Sequence, residues 1–221
     1  MKRLVDFTKQ NRMVLNKKKT QVALFNRSKT IDFPPLFEVD GTVLEYTEKF
    51  KLLGVEFDTQ LSFTDQVDKM VNKAKSKLWI IKRLVNNMVP VNLIVLVYIT
   101  RVRSILEYAA PVFSGFLTIQ QEMKIECVQK LFLMTIFGFQ NLSYEALCKK
   151  ANVEPLAKRR KMLCYSFVKK EIKSKDSLFV KAQHTVTRRG GKDLLFVPQA
   201  KSESHFKSPL VYLARLFNSR S

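Results

Sequence analysis

Residues 48–85, EKFKLLGVEFDTQLSFTDQVDKMVNKAKSKLWIIKRLV, contain the change of period on which the fold turns. Before Asp58 the apolar positions alternate. Leu53, Val55 and Phe57 share one face of a strand with Gly54 at its centre, and that face is expected to be buried. From Ser62 the spacing becomes helical. Val67, Met70, Val71, Ala74, Leu78, Ile81 and Val85 fall along one stripe of a single long helix. Ser62 is placed to cap its first turn, with Asp65 three residues on as a variant of the capping box.

Upstream the signal is mixed. A short helix is expected over about Leu4–Asn11, then a strand in TQVALF with Val22 and Leu24 on one face. PPLFEVDGTVLEY holds two β-prone runs joined by Asp40-Gly41, the chemistry of a two-residue hairpin turn. Downstream nearly everything reads as helix. Pro90 interrupts the first helix, a second runs over about Val91–Ala110, and a third over about Thr118–Phe137 stops at Gly138. Helices follow in SYEALCKKA and LAKRRKMLCYSFVKKEIKS. HTVTRRGGKDLLFV reads as a loop with one strand, and SPLVYLARLFN as a terminal amphipathic helix with Pro209 in its first turn. The expected class is α+β: a small antiparallel hairpin region over 1–60, a helical bundle over 61–140 and a basic helical region over 141–221.

Charge is the outlying property. The 221 residues carry 39 Lys and Arg against 19 Asp and Glu, a formal net charge of +20. From Pro155 onward sixteen Lys or Arg face four acids. Lys69, Lys73, Lys75, Lys77, Lys82 and Arg83 lie off the apolar stripe of the first long helix. Any one lysine reads as an ordinary solvated position, but an ordinary surface interleaves both signs. The sum is better matched by a polyanion, through neutralised phosphates and released counterions. A membrane surface fits less well, because the basic helices lack an insertion face separate from their core stripe. KRRK at 158–161 also has the form of a nuclear import signal, although such strings arise by chance in so basic a chain.

The most apolar segment, VPVNLIVLVYIT, is well short of the roughly 20 residues that span a bilayer. The first residues carry no continuous apolar run of the secretory kind. Cys127, Cys148 and Cys164 are odd in number and far apart, which suits a reducing compartment and buried packing on helices. The expectation is a soluble intracellular protein of nucleus or cytoplasm. Catalytic motifs are missing from the sequence. His184 and His205 belong to no zinc-type spacing, no phosphate-cradling glycine loop or GxSxG elbow occurs, and the eight aspartates include no adjacent pair. Neither catalytic residues nor metal ligands are assigned.

The order of motifs adds a resemblance. LNKKKTQVALF, FKLLGVEFD, LSFTDQVDKMVNKAKSKLWIIKRL, VYITRVRSILEYAAPVFSG, IECVQKLFLMTIFG and YLARLFN follow one another over about residues 10–218. In type, order and spacing they resemble the C-terminal part of the reverse transcriptase of LINE-type (non-LTR, Jockey-like) retrotransposons. The chain departs from that pattern at Phe63 and Phe113, where the family often has Trp, and at Met134, where a basic residue is common.

The resemblance implies the end of a polymerase palm with a primer-grip-like hairpin, then a thumb-like bundle and the helical region beyond it. Lys19 matches a characteristic lysine near the incoming nucleotide's phosphates. Gly54 would let the hairpin backbone approach a sugar-phosphate chain, with Lys49 and Lys51 attracting phosphate. With Lys69, Lys73, Lys77, Lys158, Arg159, Arg160 and Lys161 these form the candidate nucleic-acid-binding set. The family's palm aspartates, including its aromatic-x-Asp-Asp turn, are not in this sequence. The implied function is a truncated or partial RNA-directed DNA polymerase that binds RNA or an RNA–DNA duplex and is inactive alone. No cofactor is expected in this chain, since Mg2+ and dNTP would belong to the complete family enzyme. Two alternatives are a split part of an active reverse transcriptase and a domesticated helical module that binds a protein.

Overall fold

The computed structural model of the chain describes residues 6–8, 10–16, 19–25, 37–39, 42–138, 142–180, 194–200 and 202–219. The chain is α+β and divides into two compact units, Met1–Phe63 and Thr64–Ser221.

Among the described residues the first unit holds two antiparallel strand pairs. In one, β1 (Phe37–Val39) pairs with β2 (Thr42–Leu44), with Phe37 opposite Leu44 and Val39 opposite Thr42. The Asp40-Gly41 turn expected between them lies outside the described residues. In the other, β3 (Lys49–Leu52) pairs with β4 (Val55–Asp58). The TQVALF strand reduces to a single parallel bridge, Val22 with Tyr46, fixed by the Thr47 N–H donating to the Val22 carbonyl at 2.8 Å. The upstream helix is seen only over 6–8 and at residue 10, and Leu4 lies outside the described residues.

The β3–β4 pair corrects the reading of Leu53 and Gly54. They do not lie inside a strand; they are the two residues of its reversal. Both have positive φ, +47° at Leu53 and +85° at Gly54, the pattern that a type I′ hairpin demands. Placing the turn there takes Leu53 out of the strand, while Val55 and Phe57 keep the shared apolar face expected of them. Leu53 is therefore 85% exposed. Phe50, Leu52, Val55 and Phe57 form the apolar face, with Phe50 stacked on its cross-strand partner Phe57 at 5.2 Å. Lys49, Lys51, Glu56 and Asp58 form the polar face.

Asp58 ends the strand and organises the turn after it. Its carboxylate accepts the backbone N–H groups of Gln60, Ser62 and Phe63 and the hydroxyl of Ser62, all at 2.9–3.0 Å. That clasp holds a tight segment in which Leu61 and Phe63 both take positive φ.

The second unit is helical. The long helix expected from Ser62 is instead two, α1 (Thr64–Lys75) and α2 (Leu78–Asn86). The break falls where Ser76 donates its hydroxyl to the Lys73 carbonyl and the Lys77 N–H bonds the tighter i−3 carbonyl of Ala74. The stripe survives it, since Val67, Met70, Val71, Ala74 and Ile81 are buried.

The next helix is also shorter than expected. α3 (Val91–Tyr98) passes through a π-helical stretch, Ile99–Arg103, into α4 (Ser104–Glu107). It then stops, because Tyr108 is extended and Ala109 has φ +54°, and α5 (Ala110–Phe113) restarts with Pro111 in its first turn.

The central element is α6 (Ile119–Phe137), with a full capping box between Thr118 and Gln121 and Gly138 at its end. It packs against α1, α2, α7 (Tyr144–Lys150) and α8 (Leu156–Glu171), and its Phe132 stacks on Tyr98 of α3. A second core joins α8 to the chain's last helix. Cys164, Val168, Phe179, Leu195, Leu213, Ala214 and Phe217 enclose it. Here α9 (Glu203–Lys207) and α10 (Pro209–Asn218) press on Gly115, where a Cβ would sit 2.5 Å from the Lys207 carbonyl oxygen. Cys148 and Cys164 are buried as expected of helical cysteines, but Cys127 is exposed on the outer face of α6. Among the described residues no helix is long and apolar enough to cross a membrane.

Candidate nucleic-acid interface

The buried stripe of α1 and α2 dictates where their cations point. With Val67, Met70, Val71, Ala74 and Ile81 inward, Lys69, Lys73, Lys75, Lys77, Lys82 and Arg83 are exposed. Among the described residues Lys73, Lys75, Lys77, Lys82 and Arg83 make no ion pair. Five cations within eleven positions of sequence thus have no internal counter-ion among the described residues. Two of them, Lys73 and Lys75, also stand in the last turn of α1, where the helix dipole favours positive charge.

The 158–161 string divides residue by residue. Lys158 is exposed but pairs with Glu154 at 2.6 Å, and its hydrogen bond lowers the Glu154 pKa. Arg159 donates from Nε and Nη2 to the two carboxylate oxygens of Glu107 on α4, at 2.9 and 3.2 Å. That forked bond raises the Arg159 pKa and commits its charge to the fold. Arg160 is interior, 2% exposed, with Nη2 3.8 Å from a Glu122 oxygen and neither Nη1 nor Nη2 hydrogen-bonded. Only Lys161 faces solvent with no ion pair among the described residues. Further along, Lys169, Lys170, Lys173 and Lys175 are exposed at and after the end of α8. The reason is helical geometry: four consecutive residues sweep a full turn, so a basic string cannot all face one way.

On the hairpin, Lys49 stands directly opposite Asp58 and Lys51 opposite Glu56. Its polar face is charge-balanced, while Gly54 lies exposed at the tip. Lys19 is exposed, with its backbone N–H on the Asn16 carbonyl and side chain. A depression of ≈ 730 Å³ beside β2, lined among others by Glu45, Glu48 and Lys49, carries more acid than base.

The interior of the helical unit holds a polar network that sequence reasoning missed. Tyr98 donates to Gln129 at 2.8 Å, Gln129 donates to Tyr144 and to the Glu154 carbonyl, and Tyr144 donates to Glu126. Glu126 also accepts the N–H groups of Leu156 and Ala157 at the start of α8. Burial pushes the phenol pKa values of Tyr98 and Tyr144 far up and raises the thiols of Cys148 and Cys164. Tyr98, Tyr144 and Cys148 stay neutral and spend their bonds within this network, as a structural network does, while Cys164 sits apart in the second core. Among the described residues no three His, Cys, Asp or Glu converge in a way that could hold a metal ion. Trp79 of α2 is exposed. It is the only tryptophan and lies off the apolar stripe, the one signal that could have singled it out.

No family model, curated protein or solved structure matches the chain.

Proposed function

We propose that the chain is a nucleic-acid-binding part of a non-LTR retrotransposon reverse transcriptase, comprising a primer-grip-like hairpin and a thumb-like helical bundle with its basic C-terminal extension. It holds RNA or an RNA–DNA duplex through backbone phosphates, without base-sequence readout, and does not polymerise by itself. The observation that carries the binding claim is the set of exposed cations on α1, on α2 and at the break between them that are unpaired among the described residues. Family and order of parts rest on the six sequence motifs in register. The exposed Leu53–Gly54 tip supports a hairpin whose backbone can approach a sugar-phosphate chain.

Filter binding to homopolymer RNA, mixed-sequence RNA and an RNA–DNA hybrid, with a primer-extension assay alongside, tests this reading. Similar affinities across sequences and no extension are expected. Robust extension by the purified chain overturns the inactivity, and strong preference for one sequence overturns the backbone mode.

A second reading, a helical module for an acidic protein partner, is favoured by large apolar side chains left exposed, such as Met88 at 92% and Ile119 at 78%. Stoichiometric capture of one acidic protein after nuclease treatment would favour it.

A further inference from the structure

We infer that Trp79 is a base-stacking platform, and that the outer face of α2 takes an unpaired, single-stranded stretch of nucleic acid. The inference rests on the proposed nucleic-acid function and adds to it a contact that is neither electrostatic nor duplex-directed. Within α2, Ile81 is fully buried and anchors the helix, whereas Trp79 is 59% exposed. The largest apolar side chain of the helix therefore lies outside the core. Among the described residues no ring, cation or hydrogen-bond partner engages the indole. Lys82 and Arg83 stand at i+3 and i+4, the positions that neighbour it on a helix surface, and both are exposed and unpaired among the described residues. An aromatic face beside two free cations matches a single strand in both its parts, base on indole and phosphate on ammonium or guanidinium. A duplex offers phosphates but hides its base faces, so only the cations would serve it.

Because Trp79 is the sole tryptophan, intrinsic fluorescence reports this position alone. A fluorescein-labelled oligo(dT) is titrated with the protein and monitored by anisotropy, and an unlabelled oligo(dT) is monitored by tryptophan emission. Quenching that saturates with the anisotropy change is expected. Trp79→Ala should bind oligo(dT) about 10- to 100-fold more weakly with an unchanged salt slope, and Trp79→Phe should recover most of the loss. Lys82→Ala or Arg83→Ala should each lower the salt slope by about 0.7. Binding by anisotropy with unmoved emission, or with full affinity in Trp79→Ala, overturns the stacking and leaves the electrostatic reading standing. Absence of any binding overturns both. A blue shift of the emission on raising protein concentration, without oligonucleotide, assigns the face to a second copy of the chain and overturns the proposal.

Discussion

Glu126 on α6 caps a helix that begins thirty residues later: its carboxylate oxygens accept the N–H of Leu156 and the N–H of Ala157. Pro155 occupies the cap position of α8 and has no side chain able to do this, so the anion is supplied from another helix. The same carboxylate accepts the Tyr144 hydroxyl. Glu126→Ala should therefore lose about 2 kcal/mol by urea unfolding, from an uncapped helix and an orphaned hydroxyl. Glu126→Gln, which keeps an acceptor oxygen, should lose about half as much. An unchanged urea midpoint in the alanine variant would refute the cap.

Leu53 holds a left-handed conformation that costs an ordinary L-residue about 1–2 kcal/mol, and no burial offsets it. Asn tolerates that conformation and is favoured at the first position of a type I′ turn. Leu53→Asn should raise the thermal midpoint, with a gain of about 1 kcal/mol. A lower midpoint would show that the leucine side chain contributes something the turn does not require.

Neighbours in the 158–161 string should behave in opposite ways. Arg160→Met exchanges a buried, incompletely bonded guanidinium for an apolar side chain. Its nucleic-acid affinity should be unchanged and its stability equal or higher. Lys161→Glu reverses an exposed charge and should weaken binding about threefold to tenfold at low salt, with stability unaffected. Equal losses of affinity from both would place the Arg160 guanidinium at the surface.

Much of the helical half was legible because periodicity and punctuation agree there. Thr118 and Gln121 cap α6 as a box and Gly138 ends it, so its limits could be read almost to the residue. Three things were not. The break at Ser76–Lys77 leaves the apolar stripe intact and so gives no signal in hydrophobic spacing. The Leu53–Gly54 turn was hidden because leucine is a poor I′ residue, and an alternating apolar run is equally well written as one strand. The site was the least legible. Charge counts place Arg159 and Arg160 beside Lys161, but only tertiary packing brings Glu107 to one guanidinium and buries the other.

Stability at alkaline pH depends on the buried phenols. Burial pushes the Tyr212 pKa up from 10.0 to about 12, and those of Tyr98 and Tyr144 higher still. The unfolded chain gives up these protons near pH 10 while the folded chain keeps them. Above that pH the unfolded state binds fewer protons, and stability falls as pH rises. Urea midpoints should be insensitive to these tyrosines below pH 10 and drop steadily between 10 and 12. Tyr212→Phe should make that drop shallower. A midpoint that climbs over the same range would contradict the burial of all three.

The central claim is that the cations on α1, on α2 and at the break between them grip phosphates, and the slope of log Kobs against log salt concentration for an RNA–DNA hybrid measures it most directly. Five unpaired cations there predict a straight line with a slope of about −3 to −5, and a Lys73→Glu, Lys77→Glu, Arg83→Glu triple variant should flatten it by about 2 to 3. An affinity indifferent to salt, or a slope the triple variant leaves untouched, would contradict it.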